Sequence, residues 1–307
     1  MESSSRRAFL TGRRPAQTPW EQFCRRMRRG VSGSFLDFGL YEGKGSARLT
    51  PSQGADVRVA RSLCRELGVV LALSGINQAD SLSGQSVLWM ELDGSMADCR
   101  PLPDEPGKWF VQPGTLLSEL VDAGLIQFSD QPGYLTIAAW MADRSLCAWA
   151  PGASACSGLL HASVLMADGT SAVFGPFGAK NRLPLTTLTQ QKLVPELFSL
   201  AADESAAGFN SLPRWPARYR LDVLTPGQGR DVNLGHLFLG HGGDLGWIEW
   251  MVFEARPVLP SVYWSDAYTS RPSADEQTIR NQAAAFDRKV KRLFDPYGVY
   301  PDPGQDL

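Results

Sequence analysis

The sequence predicts an α+β fold, and three observations carry that expectation. Short apolar runs that read as buried strands, "VVLALSG", "SVLWMEL" and "KWFVQPG", lie among segments with helical spacing. The two kinds of segment do not alternate regularly, which argues against a doubly wound sheet. A chain of 307 residues that is 43% hydrophobic can bury one large core or two lobes.

Residues 1–34 carry Arg6, Arg7, Arg13, Arg14, Arg25, Arg26, Arg28 and Arg29 against only Glu2 and Glu21. Within them "SRRAFL" looks like a twin-arginine export signal, but "TGRRPAQTPWEQF" does not supply the apolar stretch of about 7 to 15 residues that export needs. A solvated basic arm with a short helix near Trp20 to Met27, on a cytoplasmic protein, is the preferred reading. "GADVRVARSLCRELG" places Val57, Ala60, Cys64 and Leu67 on one face of a helix that Gly68 stops. The strands "VVLALSG" and "SVLWMEL" follow, and "KWFVQPG" runs into the helix "TLLSELVDAGL". "ASVLMADGTSAVF" is a hairpin around Asp168 and Gly169.

Two late elements are plain. "LGWIEWMVFEARP" is a strongly apolar strand. "SADEQTIRNQAAAFDRKVKRLFDPYG" is a helix that opens on a capping box from Ser273 to Glu276, buries Ile279, Ala283, Phe286, Val290 and Leu293, and ends at Pro296 and Gly298.

Composition narrows the functions. The formal net charge of -2 gives no overall electrostatic case for nucleic acid. The cysteines Cys24, Cys64, Cys99, Cys147 and Cys156 are scattered, with no C-x-x-C pair and three histidines in the whole chain, so a disulfide framework, a structural zinc or an iron–sulfur cluster is poorly supported. No apolar run approaches the roughly 20 residues of a membrane span.

The segment "LSGINQADSLSGQS", residues 73–86, lies between two buried strands. It reads either as a surface turn or as a backbone nest for an anion such as pyrophosphate. It has neither the P-loop Lys-Ser/Thr nor the G-x-G-x-x-G spacing.

The order of the pieces extends this reading. "SLSGQS" before a strand, "VQPG" before a helix, "TIAAWMA", "ASVLMADGT" and "LFLGHGGDLGWIEWMVFEARP" together resemble the FAD-linked oxidase family with the PCMH-type, vanillyl-alcohol oxidase-like domain. Gly240, Gly243, Leu245, Gly246 and Ile248 match that family's Gly-rich turn and strand, and "FDPYGVYPDPG" is similar to its C-terminal ending, with Asp302 for the usual asparagine. In size and ending the chain looks most like the small FAD-binding subunit of glycolate oxidase.

The resemblance implies two α+β subdomains with non-covalent FAD between them and a greatly reduced substrate cap. The FAD-binding domain would run over 35–258, and a cap remnant with the C-terminal helix over 259–307. Ser74, Gly75, Ile76, Asn77, Gln78, Ala79, Asp80 and Ser81 would face the pyrophosphate, with Gln85 and Ser86 beyond them. Gly114, Thr136, Ile137, Ala138, Gly246 and Ile248 would complete the cofactor site. Ala138 and Ala139 stand where the family has glycines, Asp143 to Cys147 replace a second small-residue motif, and Ile76, Asn77 and Asp80 depart from the usual pyrophosphate loop.

A catalytic residue is not identified. His241, in the Gly-rich turn, is a weak candidate for a base, while His161 reads as structural. Arg144, Lys180 and Arg182 could meet an anion, and Cys147 and Cys156 read as inert thiols.

Two functions remain open. One is an FAD-dependent oxidoreductase subunit that oxidises a 2-hydroxy acid, glycolate or lactate in kind, beside another flavoprotein or an iron–sulfur subunit. The other is a catalytically degenerate protein that keeps the scaffold in a structural or regulatory role. A nucleic-acid binder that uses the basic arm lacks any folded motif.

Overall fold

The computed structural model describes residues 18–76, 82, 84–147, 149–178, 184–225, 231–258 and 274–303. Helix α1 (Pro19–Gly30) opens on a capping box between Thr18 and Glu21. Its apolar side, Trp20, Phe23, Cys24 and Met27, is core. Trp20 lies flat against Gly45, where a Cβ would come within 2.0 Å of the ring, and its indole N–H donates to Asp37 at 3.1 Å. The short helix expected near Trp20 to Met27 thus forms, and it packs through its apolar side. The twin-arginine-like motif lies outside the described residues.

The first sheet holds β1 (Ser34–Tyr41), β2 (Lys44–Thr50), β3 (Val70–Leu73) and β4 (Val87–Met90), in the order β1-β2-β4-β3. β1 and β2 form an antiparallel hairpin, while β4 runs parallel to both β2 and β3. Helix α2 (Gly54–Leu67) buries Val57, Ala60, Leu63 and Cys64 and ends at Gly68, whose φ of 65° is left-handed. Asp56 in its first turn accepts the N–H groups of Ser32, Gly33 and Ser52, which ties α1 and β1 to α2. Burial opposes its charge, but these donors hold its carboxyl below the usual range.

Because β3 and β4 are parallel neighbours, the chain leaving β3 must travel back along the sheet before β4 begins. The 74–86 connection makes that return, so topology alone demands a long segment there. The outer edge of β3 is covered by the C-terminal tail, with the Leu71 N–H donating to the Val299 carbonyl at 2.8 Å.

The second sheet is antiparallel throughout. It contains β5 (Cys99–Pro101), β6 (Lys108–Val111), β7 (Leu159–Leu165), β8 (Ser171–Phe174) and β11 (Trp247–Glu254), in the order β5-β6-β11-β7-β8. β9 (Pro176–Phe177) and β10 (Val232–Asn233) form a separate short pair. Around them lie the helices α3 (Leu117–Asp122), α4 (Ile137–Ala142), α5 (Leu188–Ala201), α6 (Glu204–Asn210) and α7 (Ala274–Phe294). The α+β class holds. The hairpin around Asp168 and Gly169 forms, with the Asp168 carboxylate accepting the Thr170 N–H at 2.7 Å.

On α7, Ala283, Phe286 and Val290 are buried and Ile279 and Leu293 half-buried, as their spacing predicts. Ser273, the first member of the expected capping box, lies outside the described residues, as does the segment 259–273 read as a cap remnant. No helix among the described residues is long and apolar enough to cross a membrane.

Each sheet has its own core. Ala138, Ala142, Leu165, Trp247 and Tyr300 pack into the first-sheet core although α4, β7 and β11 belong to the second lobe, and the two lobes join there. The tail is locked by Lys291, whose ammonium donates to the Asp295 carboxylate at 2.7 Å and to the carbonyls of Asp244 at 2.7 Å and Tyr300 at 3.1 Å. Asp295 also accepts the N–H groups of Val299 and Tyr300.

Replacing Lys291 with Met strips a buried carboxylate of its counter-charge and two carbonyls of their ammonium donor, so Lys291→Met should cost about 3 to 5 kcal/mol in urea unfolding. Lys289→Ala removes an exposed pair with Asp203 and should stay within about 1 kcal/mol. Equal losses in the two variants would refute the clasp.

Candidate functional site

The site is built where α4, the Gly-rich turn 240–246 and the start of the 74–86 connection meet. α4 is fixed at its first turn. The Ile137 N–H donates to the Thr115 carbonyl at 2.8 Å, the Ala138 N–H to the Pro113 carbonyl at 3.2 Å, and the Ala139 N–H to the Thr136 hydroxyl at 3.2 Å. Gly114 occupies a tight turn in which a Cβ would lie 2.5 Å from the Asp93 carbonyl oxygen. Thr136, Ile137 and Gly114 therefore form one packed unit whose donors serve the protein itself.

The Gly-rich turn hangs from the other end of α4. The Gly240 N–H donates to the Met141 carbonyl at 2.7 Å and the Gly242 N–H to the Ala142 carbonyl at 2.9 Å. Gly242, at φ 68°, lies against the Arg218 guanidinium, and a Cβ there would come 1.9 Å from Nη1. Gly243, at φ 75°, faces Leu73 and Ile76; its Cβ would meet Leu73 Cβ at 3.3 Å and Ile76 Cδ1 at 3.8 Å. This contact brings the beginning of the connection onto the Gly-rich turn.

Between them is a cavity of about 10 Å³, bounded by Leu73, Ala138, His241, Gly246, Trp247, Ile248 and Tyr300. That is room for about one water molecule. Its wall is not wholly apolar. Both ring nitrogens of His241 and the indole nitrogen of Trp247 are buried without a partner among the described residues. Burial, then the charge of Arg218, lowers the His241 pKa to about 3, so its ring is neutral near pH 7.

The structure thus gathers Ala138, His241, Gly246 and Ile248 around one cavity, with Ile76 beside it against Gly243. Other predicted residues lie elsewhere. The Ser86 hydroxyl accepts the Gly45 N–H at 3.0 Å and its carbonyl accepts the Val70 N–H, which makes it part of the first sheet. The Ser74 N–H is given to the Met90 carbonyl, and that of Gln85 to the Leu82 carbonyl. Gly75, at φ 86°, is exposed. Asn77, Gln78, Ala79, Asp80 and Ser81 lie outside the described residues, as do Lys180 and Arg182.

The other histidines and cysteines have structural surroundings. His236 donates from Nε2 to the Leu159 carbonyl at 2.9 Å and accepts the Ser154 hydroxyl at Nδ1, and burial lowers its pKa to about 4. The His161 ring covers Gly175, where a Cβ would lie 2.2 Å from Nδ1. Cys147 is buried, which pushes its thiol well above the ordinary range, and Cys156 is exposed.

A charged layer that sequence reasoning missed lies beneath the turn. Arg218 Nη1 meets Asp244 at 2.8 Å, and the Tyr219 hydroxyl donates to the same carboxylate at 3.2 Å. Asp287 on α7 accepts the N–H groups of Arg218 and Tyr219. Burial lifts Asp244 to about 6, against the pull of Arg218 and Lys291. The signal was there in "RYRLD", where closely spaced charges sit in an otherwise apolar stretch.

No protein-family model matches the chain, and no curated protein does. Among solved structures it is similar to 4-ethylphenol oxidase from Gulosibacter chungangensis, at 12% identity and a TM-score of 0.45, over 80% of this chain and 44% of that one. The carbohydrate oxidase from Microdochium nivale is similar at 12% identity and a TM-score of 0.42, over 76% and 43% of the two chains. For p-cresol methylhydroxylase the values are 12% and 0.42, over 80% and 45%. The chain spans less than half the length of each of these proteins.

His241 is held neutral in the fold and titrates near 6.5 when unfolded. Its contribution to stability is full above pH 6.5 and lost as pH falls toward 3, at about 1.4 kcal/mol per pH unit. Between pH 7 and pH 5, wild type should therefore lose about 2 kcal/mol more in urea unfolding than His241→Gln. An identical acid response in the two proteins would show that His241 is solvated.

Proposed function

We propose that the chain binds FAD as an oxidoreductase of the FAD-linked oxidase kind. The observation that supports this reading best is the meeting of Ala138, His241, Gly246, Trp247 and Ile248 around one small cavity at the junction of two α+β lobes, with Ile76 beside it against Gly243 and with buried nitrogens of His241 and Trp247 that have no partner among the described residues. Those nitrogens suit a polar group of a ligand. Ile76, Ala138, Gly246 and Ile248 are the described residues at the junction that would hold the cofactor. Bound FAD supplies hydride acceptance, and the protein supplies position and electrostatics. A 2-hydroxy acid as substrate and a flavoprotein or iron–sulfur partner are the finer form of this reading.

A second reading rests on the same junction. A volume of about 10 Å³ holds no ring system, because Leu73, Ile76, Trp247 and Tyr300 fill the space beside the Gly-rich turn. A scaffold protein that keeps the fold without the cofactor accounts for this filling. No chemical step is assigned to the site.

Visible absorption of the purified protein, followed by FAD titration, separates the two readings. On the first, the protein is yellow or takes up FAD, and Ile76→Gly, which clears the side chain from Gly243, binds it at least as tightly. A folded, colourless wild type that ignores FAD, together with an equally unresponsive Ile76→Gly, would refute the first reading and support the scaffold.

A further inference from the structure

A second concavity, of about 330 Å³, lies along α7 and is independent of the lobe junction. Its volume is within the range of small-molecule sites. Arg144, Arg280, Arg288, Lys291 and Arg292 line it, against the carboxylates of Asp287 and Asp302.

The cations fall into two groups. Arg144 and Lys291 are already engaged: Arg144 donates to the Pro216 carbonyl at 2.7 Å, and Lys291 holds Asp295. Asp287 is likewise engaged, as the acceptor for the backbone of Arg218 and Tyr219. Arg280, Arg288 and Arg292 make no hydrogen bond or ion pair among the described residues. Arg288 and Arg292 are exposed and Arg280 is half-buried. On a helix, their spacing sets Arg280 and Arg288 about 12 Å apart along the axis and Arg292 about 6 Å further on. Long arginine side chains from such a row can converge on one ligand in the cleft.

Like charges gathered in a concavity repel one another and concentrate counter-ions. Each guanidinium offers a planar fork of donors that matches phosphate and carboxylate oxygens. Some arginines elsewhere on the described surface meet carboxylates, as Arg58 does Glu249 at 2.6 Å and Arg48 does Glu91 at 3.1 Å. On α7 no carboxylate fills that role for three of them.

We infer that this cleft binds a small multivalent anion, of phosphate or carboxylate chemistry, through Arg280, Arg288 and Arg292. The probes are pyrophosphate and citrate, titrated calorimetrically into the full chain at low ionic strength. One of them should bind saturably at one site per chain and weaken as sodium chloride is added. Tighter pyrophosphate identifies the phosphate source, and tighter citrate the carboxylate source. The double variant Arg288→Ala/Arg292→Ala should lose roughly tenfold or more in affinity, with an unchanged thermal midpoint in the absence of anion. Lys289→Ala, whose ammonium is directed at Asp203 outside the cleft, should bind as wild type does. The inference fails if neither anion binds saturably, or if Lys289→Ala weakens binding as much as the double variant. It also fails if duplex DNA binds and neither small anion displaces it.

Discussion

The fold depends on keeping several charges buried near the junction of its two lobes. Lys291 on α7, Asp295 after it, Arg218 and Asp244 are each nearly inaccessible to solvent. Each such ion loses several kcal/mol of hydration on burial, which only close partners offset. The partners come from distant parts of the sequence. Lys291 reaches the Asp244 carbonyl in the Gly-rich turn, Asp287 holds the backbone at Arg218 and Tyr219, and Tyr300 donates its hydroxyl to the Leu165 carbonyl of β7. Removing any one member strands another. The network therefore fixes α7 and the tail against both lobes, and the tail in turn covers the edge of β3.

Much of this fold was legible in the sequence where one face is apolar and the other is not. α2 and α7 carry apolar residues at helical spacing, and the strands at 70–73, 87–90 and 247–254 are continuous apolar runs with turn residues beside them. β1 was not legible. In "SFLDFGLY", Leu36, Phe38 and Leu40 alternate with residues that are only half-buried, so an outward apolar row masks the inward one. α5 was hidden differently, since Pro195 inside the helix breaks a pattern that the capping residues Thr187 and Gln190 would have announced. The packing of α1 rests on Trp20 against Gly45, a long-range contact that local spacing cannot express.

The candidate site was legible by position more than by role. The sequence grouped Ala138, Gly246, Ile248 and Ile76; the first three line one cavity, and Ile76 lies beside it against Gly243. It also counted Ser86 and Thr136, whose hydroxyls serve the first sheet and the first turn of α4. A polar side chain near a loop does not reveal whether its partner is a ligand or the backbone of the same protein, because both satisfy it equally. The buried pair Arg218 and Asp244 escaped because the charges of "RYRLD" do not say which distant carboxylate they meet, and Asp244 lies 26 residues on.

Bare backbone in the Gly-rich turn bears on both readings of the function. A glycine is needed wherever φ is positive or another group approaches closely, and that group can be a cofactor or the protein itself. At Gly242 it is the Arg218 guanidinium, and at Gly243 it is Leu73 with Ile76. Both positions also have left-handed φ. The protein's own contacts thus account for these two glycines without a cofactor. The nitrogens of His241 and Trp247 are different, because no described protein group satisfies them and a buried polar atom without a partner costs about 1 to 3 kcal/mol. A water in the adjoining cavity, or a polar ligand group in its place, relieves that cost only for a nitrogen directed at it. These unsatisfied nitrogens, more than the glycines, make the junction a candidate binding site.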